Sequence, residues 1–310
     1  MNSHQISLRL TPAALLMLIA VTTLFAAMPR AAAGGLMRER IYNRIKQGRQ
    51  RDLGGAEVTT LAGIKVAIWK PGSLEQPAPL VIFSHGLHGL YAQSISIMKA
   101  LSDRGYIVVA PNHEDALGNG HMGRPQQPLG QPDQWNDETY RDRKEDIMSV
   151  LAALKADPKF QSKIDWSKIS LMGHSLGGYT VLGLAGAWPS WKLPGIKAVI
   201  ALSPYSNPFV KKHTLSGLNV PVMYQCGTMD FGVTPFLTGK RGAFDQTSAP
   251  AYLVEIQGAN HFTWSNLNRN QAHEKLIDHY CLAFLDKYVQ GDPSADPSQR
   301  LPGVKRLLTK

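Results

Sequence analysis

The sequence predicts an α/β fold, a single domain built on a mostly parallel, twisted sheet with helices on both faces. Three observations carry this. From about residue 57, short apolar runs alternate with stretches of helical spacing, the pattern of strand–helix–strand units. The runs are continuous rather than alternating, as strands covered on both faces require. Neither an internal repeat nor a linker divides the 310 residues, so one core is expected.

Val58–Leu61 and Ile64–Trp69 predict an opening hairpin about Ala62-Gly63. Leu80-Val81-Ile82-Phe83 is a buried strand ending in a Ser-His-Gly turn. Gln93–Arg104 has helical spacing and stops at Gly105, and Tyr106–Ala110 is a second buried strand. Thr139–Ala156 predicts a helix with Ile147, Val150, Leu151 and Leu154 on one face. Ile169–Met172 is a strand, Tyr179–Ala187 a helix, and Val199–Leu202, Val220–Tyr224 and Tyr252–Ile256 complete the strand set. Ala272–Val289 is a terminal amphipathic helix. Between these elements His113–Glu138 carries four Gly and three Pro, a long insertion expected to act as a lid or pocket wall.

The chain is 44% hydrophobic and 18% charged, a globular balance that excludes a disordered or multi-span membrane protein. Residues 1–33 are read as a signal peptide, with basic Arg9, apolar Ala13–Ala27 and a small-residue run Ala31-Ala32-Ala33. The apolar stretch falls short of the roughly 20 residues of a bilayer span. A periplasmic or secreted protein with no stable membrane span is therefore expected. Cleavage removes Arg9 and Arg30 and lowers the net charge from +10 to +8. Residues 34–56 form a basic segment, densest at Arg38–Arg51, ahead of a folded domain over 57–310. Its charges alternate with polar rather than aromatic residues, so no nucleic-acid partner is expected. The two cysteines, Cys226 and Cys281, exclude a disulfide-dense scaffold and a cysteine-rich zinc module. They are read either as one bridge, which export permits, or as two separate buried thiols.

The strongest chemical signal is Gly173-His174-Ser175-Leu176-Gly177, a G-x-S-x-G between a strand and a helix. That context makes Ser175 a nucleophile candidate on a tight turn, with small neighbours where strands crowd. A serine hydroxyl needs a base, and the base an orienting acid. Of the histidines after Ser175, His213 precedes a strand and His273 and His279 lie in the terminal helix. His261 stands just past Tyr252–Ile256, within reach of a strand-end serine, and is the expected base. Asp230, beyond Val220–Tyr224, is the expected acid; Asp245 is its rival, and Glu114 and Asp115 break the usual chain order. The backbone N–H groups of Leu176 and Leu87 are the expected oxyanion donors. His88, Tyr91, Tyr205 and Trp264 are candidate substrate-pocket residues, and Trp188 and Trp191 are open between pocket and core. His85 and His88 have no carboxylate or Cys at ligand spacing, so neither a metal nor a cofactor is expected.

Ser84-His85-Gly86-Leu87, Gly-His-Ser-Leu-Gly-Gly at the turn, and the downstream Asp and His resemble the α/β-hydrolase superfamily. The likeness runs from about Leu80 to Tyr288 and is nearest to dienelactone-hydrolase-like and platelet-activating-factor-acetylhydrolase-like esterases. It implies the α/β-hydrolase fold and metal-free hydrolysis of carboxylic esters, small or lipid-like, through an acyl-enzyme. Two departures stand out. Dienelactone hydrolases carry Cys where this chain has Ser175, and the acetylhydrolases place their acid one strand earlier, where this chain offers only Ala201-Leu202-Ser203-Pro204. The positions of Asp230 and Gly258-Ala259-Asn260-His261-Phe262 are instead similar to those of bacterial cutinases and related polyester hydrolases. An amidase or peptidase, or a non-catalytic binding protein, on the same fold are the alternatives. Oligomeric state is left open.

Overall fold

In a computed structural model, which describes residues 53–119, 125–248 and 250–310, the expected β–α alternation is realised in nine strands of one sheet. Residues 1–33, Arg38–Arg51 and the tip of the long insertion lie outside the described residues. The strands are β1 Glu57–Leu61, β2 Ile64–Trp69, β3 Ala78–Ser84, β4 Ile107–Pro111, β5 Ile164–His174, β6 Ile196–Leu202, β7 Val222–Gly227, β8 Ala251–Ile256 and β9 Val304–Thr309. Their order is β1-β2-β4-β3-β5-β6-β7-β8-β9. The pairs from β4 to β8 are parallel, and the edges are antiparallel. The opening hairpin turns at Ala62 and Gly63, both at positive φ, as a two-residue hairpin turn requires.

Among the described residues the α-helices are α1 Ile95–Asp103, α2 Arg141–Ala156, α3 Pro158–Gln161, α4 Leu176–Leu182, α5 Asn207–Lys212, α6 Thr234–Thr238, α7 Ala243–Gln246 and α8 Gln271–Leu285. Every residue of β3 and β4 is buried, and side-chain alternation divides them between two cores. Leu80 and Ile82 face one cluster with Ile147, Val150 and Leu154 of α2 and Tyr179 of α4. Val81 and Phe83 face the other, with Met98 and Leu101 of α1 and Ile277, Tyr280 and Phe284 of α8. This is the α/β-hydrolase fold, as expected.

Three details differ from the sequence expectation. β9 is an additional antiparallel edge strand on β8; only Val304 of its residues is buried, so it lacks the apolar run that marks a central strand. The helix after Ser175 begins at Leu176, and its expected C-terminal half is a wider turn over Gly183–Ala187, where Gly186 has φ 122°. β7 starts later than expected and runs on to Gly227, which brings Asp230 close to the strand end.

The insertion is pinned by aromatic side chains. Trp135 is fully buried, its ring 4.7 Å from Tyr205 and 5.1 Å from Tyr179. Tyr205 Oη–H donates to the Leu129 carbonyl at 2.6 Å, and Tyr179 Oη–H to that of Thr139 at 2.9 Å. Trp188 donates to Tyr179 Oη, and Trp191 to the Asp137 carbonyl at 2.7 Å. Both tryptophans are buried in this cluster rather than lining an open pocket.

The two cysteines are separate buried thiols. Cys226 belongs to the core on the α2/α4 face and Cys281 to the core on the α1/α8 face. The sheet stands between them, which excludes the bridge. Gln225, the neighbour of Cys226 on β7 and so on the opposite face, donates Nε2–H to Cys281 Sγ at 3.3 Å.

Candidate active site

The turn between β5 and α4 is sterically demanding. Ser175 sits at φ 56°, ψ −116°, a region that costs a residue with a Cβ on the order of 1–3 kcal/mol. Its surroundings hold it there: Ser175 N–H donates to Leu202 O at 3.0 Å, and Tyr205 N–H to Ser175 O at 2.9 Å. The flanking glycines are steric necessities. A Cβ on Gly177 would lie 1.9 Å from the Ser84 carbonyl oxygen, and one on Gly173 would lie 2.2 Å from that of Gly177.

Ser175, His261 and Asp230 meet at the carboxyl ends of their strands. Ser175 Oγ lies 2.9 Å from His261 Nε2, and His261 Nδ1 lies 2.8 Å from Asp230 Oδ2. The carboxylate accepts from Nδ1–H, which leaves Nε2 free to accept the serine proton. The Asp230 side chain is 4% exposed and that of His261 30%. The geometry suits proton removal from a serine hydroxyl, with the imidazolium charge held against a buried carboxylate. The rival acids lie elsewhere. Asp245 accepts from Arg241 N–H, Asp115 pairs with Arg143, and Glu114 is exposed.

The expected oxyanion donors are free to act. Gly86 N–H donates to Gln93 Oε1, His88 N–H to Asp115 Oδ2, and Gly89 N–H to Gly86 O. Among the described residues the N–H groups of Leu87 and Leu176 have no acceptor. A Cβ on Gly86 would be 3.3 Å from Ser175 Cβ, so this loop borders the serine directly.

The pocket candidates divide. Tyr205 and Leu87 pack half-buried against the α2/α4 core. His88, at φ 55°, is held through Nδ1 to the Asp115 carbonyl at 3.1 Å. Tyr91 packs against the α1/α8 core, and Lys65 Nζ lies 5.5 Å from its ring centre. Trp264 is a correction: it is fully buried in the α1/α8 core, its indole N–H donating to Gln225 Oε1 at 2.9 Å. An indole with its one polar group satisfied inside the core does not line a substrate pocket. A concavity lined by Gly258, Asn260, Phe262, Leu267 and His273 includes none of Ser175, Asp230 and His261. Among the described residues no three His, Cys, Asp or Glu side chains converge as metal ligands.

Four residues near the site escape a motif-based reading. Ser203 Oγ–H donates to Asp230 Oδ2 and lies 3.1 Å from His261 Nδ1. His174 donates Nε2–H to the His261 carbonyl at 2.8 Å and accepts from Gln93 Nε2 at 2.8 Å. Burial, then the nearby His261, holds its pKa down at about 3, so the ring is neutral. The fourth is Arg143, fully buried on α2. A signal for it was present, because Arg143 falls one turn before Ile147 on the helix face predicted to be apolar.

Comparison with known proteins places the chain among ester hydrolases. Residues 129–297 match the family described as PET hydrolase-like, a span that includes Ser175, Asp230 and His261. Residues 49–127 match platelet-activating factor acetylhydrolase, isoform II. Cutinase 2 of Thermobifida cellulosilytica is 31% identical over 139 residues, 44% of this chain and 47% of that protein. Cutinase cut1 of Thermobifida fusca is 31% identical over 44% of this chain and 39% of its own length. Cutinase est2 of Thermobifida alba is 30% identical over 44% and 41%. The chain thus spans less than half the length of these curated relatives. The family match alone covers more than half of the chain and holds all three residues of the relay, and on that ground the chain belongs to the PET hydrolase-like family.

Proposed function

We propose that the protein is an exported serine hydrolase of carboxylic esters. The observation that carries the reading is the continuous relay from Asp230 through His261 to Ser175 on a strained strand-to-helix turn. Ser175 Oγ attacks the ester carbonyl while His261 Nε2 takes its proton, and Asp230 holds the imidazolium. The Leu87 and Leu176 N–H groups donate hydrogen bonds to the oxyanion as the tetrahedral intermediate forms. The intermediate collapses to an acyl-enzyme, and the alcohol leaves with the proton from His261. His261 then draws a proton from water, whose oxygen attacks the acyl carbon. The acid is released and Ser175 is protonated again.

The rim of the site favours a hydrophobic acyl or aryl ester. Met229 and Phe231, on either side of Asp230, are 52% and 56% exposed, and Phe262 beside His261 is 48% exposed. Apolar side chains left this open around a polar relay mark a surface for an apolar ligand. The names of the relatives, cutinases and PET hydrolase-like proteins, point to polyester chains as the extreme of that class. The Tyr205–Leu129 and Trp135 contacts favour a fixed pocket wall over a mobile lid for the insertion. Export rests on residues 1–33; among the described residues no helix is long and apolar enough to cross a membrane.

The test is turnover of p-nitrophenyl butyrate with and without Ser175. Ser175→Ala is expected to lower kcat by at least about a thousandfold, and wild-type protein is expected to be labelled by a fluorophosphonate. Wild-type turnover in the variant, or an unlabelled wild-type serine, removes the hydrolase reading. Faster turnover of the matching anilide than of the ester redirects it to an amidase.

A further inference from the structure

The loop that borders Ser175 is held by an ion pair that the relay does not use. The Arg143 guanidinium, fully buried, spends all its donor groups on that loop and on Asp115. Nη1 donates to the His85 carbonyl at 2.7 Å and reaches Ser84 Oγ at 3.5 Å. Nη2 donates to the Gly86 carbonyl at 3.3 Å and to both Asp115 oxygens at 2.8 Å, and Nε to Asp115 Oδ1 at 3.1 Å. Asp115 Oδ2 in turn accepts the His88 N–H at 3.1 Å. Three successive peptide units, at 85–86, 86–87 and 87–88, are therefore each gripped by one pair of side chains.

The middle unit matters most. The Gly86 carbonyl also accepts His85 Nδ1–H at 2.7 Å and Gly89 N–H at 2.9 Å, so three donors converge on it. A peptide is planar and trans, so its C=O and N–H point in opposite directions. Fixing the Gly86 oxygen toward Arg143 fixes the Leu87 N–H away from it, and that N–H has no acceptor among the described residues. Donors on the carbonyl also polarise the amide and strengthen the hydrogen bond its N–H gives. From this arrangement we infer that Arg143 and Asp115 are positioning residues, holding the Leu87 N–H in the direction that receives the oxyanion of the ester bound at Ser175. The inference rests on the hydrolase reading above and extends it to residues that touch no substrate. Burial opposes charge on Asp115, but the Arg143 guanidinium outweighs it and holds the carboxyl well below its usual range. The pair is thus ionised at any pH at which the enzyme would work.

The test uses Arg143→Lys, Arg143→Gln and Asp115→Asn in the full chain. Active sites are counted by the endpoint of fluorophosphonate labelling, so that misfolded protein drops out of the comparison. Lysine keeps the charge but cannot reach two carbonyls and a carboxylate in one plane. With p-nitrophenyl butyrate, kcat per titrated site is expected to fall at least about tenfold, with KM within about twofold. The pH profile of kcat is expected to keep the wild-type shape. A merely structural role would lower the number of titrated sites and leave kcat per site alone; that result in the variants overturns the inference. Should no variant fold, the crystal structure of phosphonylated wild-type protein decides. A phosphoryl oxygen hydrogen-bonded to Leu87 N–H, with Arg143 still on the Gly86 carbonyl, supports it, and a phosphoryl oxygen on other donors overturns it. Failure of the hydrolase reading is separate, since wild-type protein would then neither label nor turn over.

Discussion

Ser203 and Asp230 stand beyond the ends of adjacent parallel strands, β6 and β7, and the Ser203 hydroxyl donates to the same Asp230 oxygen that faces His261 Nδ1. Two strand ends thus converge on one imidazole nitrogen, and the proposed acid stands on the second. The acetylhydrolase-like pattern, with the acid one strand earlier, would put a carboxylate at the place of Ser203.

Exchanging the two side chains is therefore expected to restore part of a lost relay. Asp230→Ser alone should lower kcat on p-nitrophenyl butyrate by about a thousandfold or more. Adding Ser203→Asp should recover at least about tenfold, because Ser203 Oγ already lies 3.1 Å from His261 Nδ1. The backbone tolerates the change: Ser203 sits at φ 42°, a left-handed conformation that Asp adopts more readily than most residues. The space for the longer side chain comes from the shortening at 230. No gain over Asp230→Ser would show that the acid cannot act from β6.

The contrast between what was legible and what was not follows from sequence separation. The sheet was legible because buried strands are local apolar runs, and Ser175 because its turn imposes small residues within a five-residue window. Asp230 and His261 were legible only through chain order and strand ends. Ser203, Gln93 and Arg143 act through partners far along the chain, such as Arg143 on His85, and no local pattern records such contacts. The placing of Trp264 in the pocket failed for a related reason. Its position next to the His261 loop suggests a rim, whereas its partner Gln225 on β7 turns it into the core. β9 was missed because an edge strand exposed along most of its length carries no apolar run.

His174 is expected to set the position of His261 without touching substrate. Its Nε2–H holds the His261 carbonyl, and Gln93 holds its Nδ1. His174→Leu leaves both partners unsatisfied and is expected to lower kcat about ten- to a hundredfold through misplacement of the base. The stability of wild-type protein carries its own signature. With the folded pKa lowered to about 3, the neutral ring stabilises the fold above roughly pH 6.5, and this is lost as pH falls toward 3. Denaturant melts at pH 7 and pH 4.5 should show a smaller loss on acidification in the variant than in wild type.

The opposite faces of the sheet occupied by Cys226 and Cys281 predict two free thiols. Burial pushes the Cys226 thiol up to about 12 and Cys281 higher still, and neither is exposed. Ellman's reagent on denatured, unreduced protein should count two thiols, and on native protein close to none over minutes. A count of zero after denaturation would mean a bridge and contradict the placement of the two residues.

Asp278 on α8 predicts a pH dependence of opposite sign to that of His174. Its Oδ1 is buried without a partner among the described residues. Burial, then the charge of Glu274, raises its pKa to about 7. The folded state therefore keeps the proton to a higher pH than the unfolded state. The stabilisation this gives is fully present below about pH 4 and is lost as pH rises toward 7. Asp278→Asn supplies a neutral group of the same shape at every pH. It is expected to raise Tm at pH 8 by about 3 °C or more and to change it little at pH 4. Equal shifts at the two pH values would show that the carboxyl is ionised, or solvated, in the folded state at both.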